Sequence, residues 1–175
     1  MLGAVAQRIA SRVQPLRKRV QGAADLADLQ RRHALPQASP AAFVLPMGLR
    51  GGARFAAHPL FVQDMEEVVG VLLVLRTYQR TGGEGRALVD LDQLIDAVVR
   101  AVTGWAPVGE PGVFVLRSGR MVSMATGTMA YQLDFALPRQ LRHHPDEPDP
   151  VWAAWVPPPE PEAPEPETPE PEMED

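Results

Sequence analysis

Residues 61–79 read FVQDMEEVVGVLLVLRTYQ, and this stretch decides the fold. Three carboxylates, Asp64, Glu66 and Glu67, fall within four residues, and residues 68–75 then carry no charge at all. The uncharged half is rich in valine and too short for a typical helix, which predicts a strand buried on both faces. In the acidic half the side chains must alternate, with Asp64 and Glu66 on one side and Gln63, Met65 and Glu67 on the other. A strand of about 17 residues reaches roughly 56 Å at 3.3 Å per residue. That exceeds what a small domain needs, so the acidic half is expected to project past its own core.

Outward from this strand, Leu2, Val5, Ile9 and Val13 recur at helical spacing with Arg8 and Arg12 opposite, and Pro15 closes the pattern. The basic, acid-free start imitates a transit peptide, but its apolar stripe suits a first structural helix docked on a sheet. A second short helix is expected over residues 23–33, with Leu26 and Leu29 inward. AAFVLP (residues 41–46) predicts a strand closed by proline, followed by a mobile glycine-containing loop over residues 48–58. TGGEG (residues 81–85) predicts a turn. Leu88, Leu91, Leu94, Ile95, Val98, Val99 and Val102 then trace a helix stopped by Gly104, with Asp90, Asp92, Asp96 and Arg100 outside. Residues 112–137 predict a hairpin turning at Ser118-Gly119. Its second arm places Met129, Tyr131, Leu133, Phe135 and Leu137 inward, Gln132 and Asp134 outward. The expected class is α+β, a small antiparallel or mixed four-stranded sheet flanked by helices.

The net charge of −5 hides a division within the chain. All 17 basic residues lie at or before Arg142, against 11 of the 22 acidic ones, so residues 1–142 carry +6 and residues 143–175 carry −11. A domain over residues 1–142 and an acidic, proline-rich, disordered tail over residues 143–175 follow, because alternating proline and glutamate cannot bury enough apolar area to offset ordering entropy. Within that tail, ahead of the proline-glutamate run, Trp152 and Trp155 in VWAAWV read as a docking motif for a partner or, by preference, for the body itself. No run approaches the roughly 20 apolar residues of a membrane helix. The chain has no cysteine, which removes disulfides and thiolate metal sites. A charge of +6 over this length is far short of a nucleic-acid footprint.

Catalytic patterns are missing. The four histidines lack zinc spacing, and RHHPDEPD (residues 142–149) reads as a solvated linker rather than a metal site at His143, His144 and Asp146. No serine lies in a nucleophile motif, and neither glycine pair continues into a phosphate-binding loop. Asp90, Asp92 and Asp96 make a solvated helix face. No cofactor is expected. Asp64, Glu66 and Glu67 remain, and they need cations opposite: Arg50, Arg54, Arg76 and Arg80 are on offer. A charged strand end paired across an interface explains them better than catalysis.

QGAADLADL, PAAFVLPMGLRGG, FVQDMEEVVGVLLVLR, LIDAVVRAVTGWAP and YQLDFAL together cover most of residues 21–137. In their order and local character they resemble the small tail terminator (tail completion) proteins of long-tailed bacteriophages and prophages. The resemblance implies a non-enzymatic virion protein, assembled in the bacterial cytoplasm, that closes into a hexameric ring. Such a ring caps the tail tube, stops polymerisation of the tube protein and presents a surface to the head connector. Arg50, Arg54, Asp64, Glu66 and Glu67 are the expected interface residues. The loop over residues 48–58 is left facing tube, lumen or neighbouring subunit. A head–tail stopper, or a non-catalytic ligand-binding or regulatory domain, is the alternative. The proline-glutamate segment departs from the family pattern.

Overall fold

The computed structural model describes residues 1–57, 60–76, 83–125 and 127–143. The chain runs α1 (Leu2–Arg12), a 3-10 turn (Gln14–Leu16), β1 (Val20–Gly22), α2 (Ala23–Arg31), β2 (Ala41–Ala57), β3 (Leu60–Arg76), α3 (Gly83–Val102), β4 (Val115–Ala125) and β5 (Thr128–His143). The fold is α+β. Its mixed sheet has five strands in the order β1-β2-β3-β5-β4, one more than the sequence suggested. The addition is β1, which pairs parallel to β2 over Val20–Gly22 alone.

The frame is the antiparallel pair β3–β5, in register without a break from Phe61 opposite His143 to Arg76 opposite Thr128. Alternation sorts its side chains. Val69, Val71, Leu73, Leu75, Met129, Leu133, Phe135 and Leu137 face α1 and α3, joining Val5, Ile9, Leu91, Leu94, Val98 and Val102 in the main core. The opposite face carries a smaller cluster at one end, where Leu26 and Leu29 of α2 pack on Ala41, Phe43 and Val74. Arg8 lies 5.4 Å above the Trp105 ring, which stacks on Phe114, and so ties α1 to the segment entering β4.

α1 ends where Pro15 forbids continuation, and Val13 turns to extended geometry. The transit-peptide imitation is thus a helix with Val5 and Ile9 fully buried. Asp25 caps α2 by accepting a 2.9 Å hydrogen bond from the Gly22 N–H. In α3, Leu91, Leu94, Val98 and Val102 are buried, while Asp90, Asp92, Asp96 and Arg100 are exposed as expected.

Four expectations are corrected. The strand beginning at Ala41 does not end at Pro46 but continues to Ala57, so the expected loop at residues 48–57 is strand. Pro46 is tolerated because β1 has ended by then and no other described strand pairs with that edge of β2. A bulge at Met47 and the left-handed φ of Gly48 (109°) absorb the irregularity. The β4–β5 pairing runs on to Ala125 opposite Thr128, and Ser118-Gly119 lies inside β4 beside a bulge at Arg117. α3 starts at Gly83, within the expected TGGEG turn. Finally, Gln132 and Asp134 do lie on the face away from α1 and α3, but both are buried. The expected disordered tail, the Trp152/Trp155 motif and the His143–Asp146 linker lie outside the described residues, apart from the backbone of His143, as does Arg80.

Candidate functional site

Past Val68 and Ala136, β2, β3 and β5 run on together as a three-stranded arm. Every β2 residue from Pro46 to Phe55 is exposed, whereas Phe61, Val62 and Gln63 of β3 are half-buried. Leu49 (65% exposed) and Phe55 (63%) are large apolar side chains open to solvent on this arm. The projection expected from the length of β3 is therefore real, and Arg50, Arg54, Asp64, Glu66 and Glu67 all lie on it.

The register explains how they are grouped. Arg50 stands opposite Glu66 and Arg54 opposite Gln63, with Gly52 and Ala53 bulging across from Asp64. Glu66 accepts a hydrogen bond from the Arg117 guanidinium, held at the β4 bulge, while Glu67 pairs with Arg139 of β5 at 3.0 Å. Asp64 accepts from Gln140 Nε2 at 3.1 Å. Glu66 and Glu67 thus find cations within their own chain, Arg117 and Arg139, rather than the arginines singled out from sequence. Arg50 and Arg54 are exposed and have no carboxylate partner among the described residues. Arg76 sits at the other end of β3, where it donates to the Pro36 carbonyl.

Arg139 is the hub. It also holds Glu110 bidentately, through Nε at 2.9 Å and through Nη2. The hydrogen bond from Arg139 holds the Glu110 carboxyl below its ordinary range, and the same bond raises the Arg139 guanidinium. This clamp straps residues 110–114 across β5 where β4 has not yet begun. Gly112 is required there by close approach, since a Cβ would lie 2.4 Å from the Pro138 carbonyl oxygen. Between the strap and the β2 bulge is an open hollow of about 770 Å³. Arg50, Asp64, Met65, Glu66, Pro111 and Arg139 are among the residues lining it.

Two features were not foreseen. β4 is an edge strand, exposed along nearly all its length, and it displays Met121, Val122 and Met124 (66% exposed). Its repeated apolar residues were a signal in the sequence, hidden by the assumption that a turn split the segment. On the face away from α1 and α3, Asp134 (9% exposed) accepts from Ser118 Oγ at 2.8 Å, Gln132 Nε2 at 2.6 Å and Arg120 Nη1 at 3.3 Å. Nothing in the local pattern marks such a cross-strand network. It lacks a nucleophile paired with a base, and it reads as a satisfied buried carboxylate. Among the described residues no cluster of His, Asp and Glu is arranged to hold a metal ion, and no helix is long and apolar enough to cross a membrane.

Against known families, the model described as phage tail terminator protein matches residues 2–147, from the first turn of α1 to just past β5. The match leaves the proline-glutamate segment outside it. No curated protein matches the chain.

Proposed function

This chain belongs to the phage tail terminator family and is a structural component of a phage tail, and we propose on that premise that its copies close into a six-membered ring that caps the tail tube. The ring stops addition of tube protein and offers its far side to the head connector. The observation that carries this reading is the inequality of the two sheet edges. On one side the outer half of β2 has no strand beyond it among the described residues and exposes Leu49 and Phe55; on the other β4 exposes Met121, Val122 and Met124. Uncovered apolar edge strands are a liability in a free monomer and natural in a surface destined for a partner. Two unlike patches on opposite sides of one sheet suit a head-to-tail contact, the kind that closes into a ring.

The charges support the same reading. Arg50 and Arg54 project from the β2 edge with no partner in their own chain among the described residues, and Asp64 is exposed beside them. Across a subunit boundary they supply register, which exposed ion pairs do better than they supply affinity. Glu66 and Glu67 hold the arm to β4 and β5 and so act one step behind the contact. The test is a tube-growth assay. Polymerising tube protein mixed with this chain gives short tubes with extra density at one end by negative-stain microscopy. Unchanged tube lengths with bare ends would refute the assignment.

A further inference from the structure

The corner where α1 gives way to β1 carries Arg12, Arg17, Lys18 and Arg19, all exposed. Arg31, Arg32, Arg100, Arg117, Arg120 and Arg139 each have a carboxylate within reach, whereas these four have none among the described residues. Arg19 donates only to the Ser39 carbonyl. Lys18 is the one lysine of the chain, and it sits at φ 62°, in the left-handed region that side chains disfavour. Glycine or asparagine would turn the backbone there with less strain. A lysine held in that conformation between two arginines points to a demand for charge rather than for a turn.

The same chain carries the opposite charge elsewhere. Residues 160–175 hold eight carboxylates, and no basic residue follows Arg142. The register of the sheet sets the distance to be covered. The Ala42 N–H donates to the Arg19 carbonyl, so the basic corner lies beside Ala42, which stands opposite Leu73. β5 ends at His143, opposite Phe61. Twelve residues of β3 separate those two points, about 40 Å. The 17 residues that follow His143, up to Glu160, allow a reach of at most about 56 Å at roughly 3.3 Å per residue. A chain leaving the arm therefore reaches the corner of its own body.

We propose that the acidic segment at residues 160–175 docks on the basic turn Arg17-Lys18-Arg19, with Arg12 at its margin, in the same chain. The contact neutralises four neighbouring cations that have no carboxylate partner among the described residues. It stands on charge and reach alone and does not depend on ring closure.

Lys18 makes the test direct, because its side chain is the one lysine amine that a carbodiimide can couple to a carboxylate. The coupling forms an amide between Lys18 Nζ and a glutamate with loss of water. The full-length chain, mixed with an isotope-labelled copy and treated at low salt, gives amides between Lys18 and residues 160–175 within single chains when mapped by mass spectrometry. Raising the salt from about 20 mM to about 0.5 M, which shortens the screening length several-fold, lowers their yield about five-fold or more. An R54K variant adds a second amine on the arm, nearer the point where the chain leaves β5, and that amine couples to the segment less than Lys18 does. Replacing both arginines (R17A with R19A) lowers the Lys18 amide several-fold while the circular dichroism spectrum is retained. Coupling of Lys18 only to Asp25 or Asp28, only between chains, not at all, or no more than at position 54 overturns the proposal.

Discussion

β3 is one continuous strand with two different halves, and comparing them separates what folds this protein from what it offers to others. From Val68 to Leu75 its side chains lie under α1 and α3 or against β2 and α2, and the pairing rests on buried apolar area. From Phe61 to Glu67 the backbone ladder continues with unchanged register, but no apolar core lies over it. There the strands are held by hydrogen bonds and by the ion pairs of Glu66 and Glu67. Equal ladders with unequal burial imply unequal stability, and the weaker half is the one proposed above to meet a partner.

Substitutions in the two halves make that contrast measurable. Phe135→Ala, fully buried opposite Val69, is expected to cost roughly 3–5 kcal/mol in denaturant unfolding. Phe55→Ala on the arm is expected to stay within about 0.5 kcal/mol of the parent. A comparable loss at both positions would erase the distinction between core and arm.

Asp134→Ala probes the buried network between these extremes. Removing its carboxylate leaves Gln132 Nε2 short of its nearest acceptor, and a loss of roughly 1–3 kcal/mol is expected. A neutral result would mean that solvent already satisfies that face.

The strap gives a small effect and a pH signature. Glu110 is depressed in the folded state, so its contribution is present above its unfolded value near 4.5 and fades as pH falls through the lower folded value. Glu110→Gln should therefore be less stable than the parent at pH 7 by about 1 kcal/mol or less, the ion pair being partly exposed. The gap should close in acid. A gap that persists unchanged at pH 3 would assign the effect to packing instead of charge.

Much of the inner half was legible in the sequence because its signal is local. An uninterrupted apolar run in β3, the 3-4 spacing of α1 and α3 and the strict alternation of β5 each report their own burial. The outer half was obscured for physical reasons. MGLRGGARFAA in β2 has loop composition, and it is strand because β3 supplies a template for its backbone. Bulges at Arg117 and Val122 break the alternation of β4, so Ser118-Gly119 imitated a turn. β1 is too short to carry any periodicity. The alternation of Asp64, Glu66 and Glu67 was readable, but their partners Arg117, Arg139 and Gln140 lie more than fifty positions away in the chain. Only the sheet order brings them together.

The most direct test of the central claim, that the two unlike sheet edges meet in a closed ring, is the solution mass by light scattering across a concentration series. It would be measured for the parent chain and for variants carrying Phe55→Glu on one edge or Met124→Glu on the other. The account predicts that the parent approaches a single plateau at six times the 19.1 kDa chain mass and that each variant remains monomeric. A parent that stays monomeric throughout, grows without a plateau, or assembles equally well with either edge charged would contradict it.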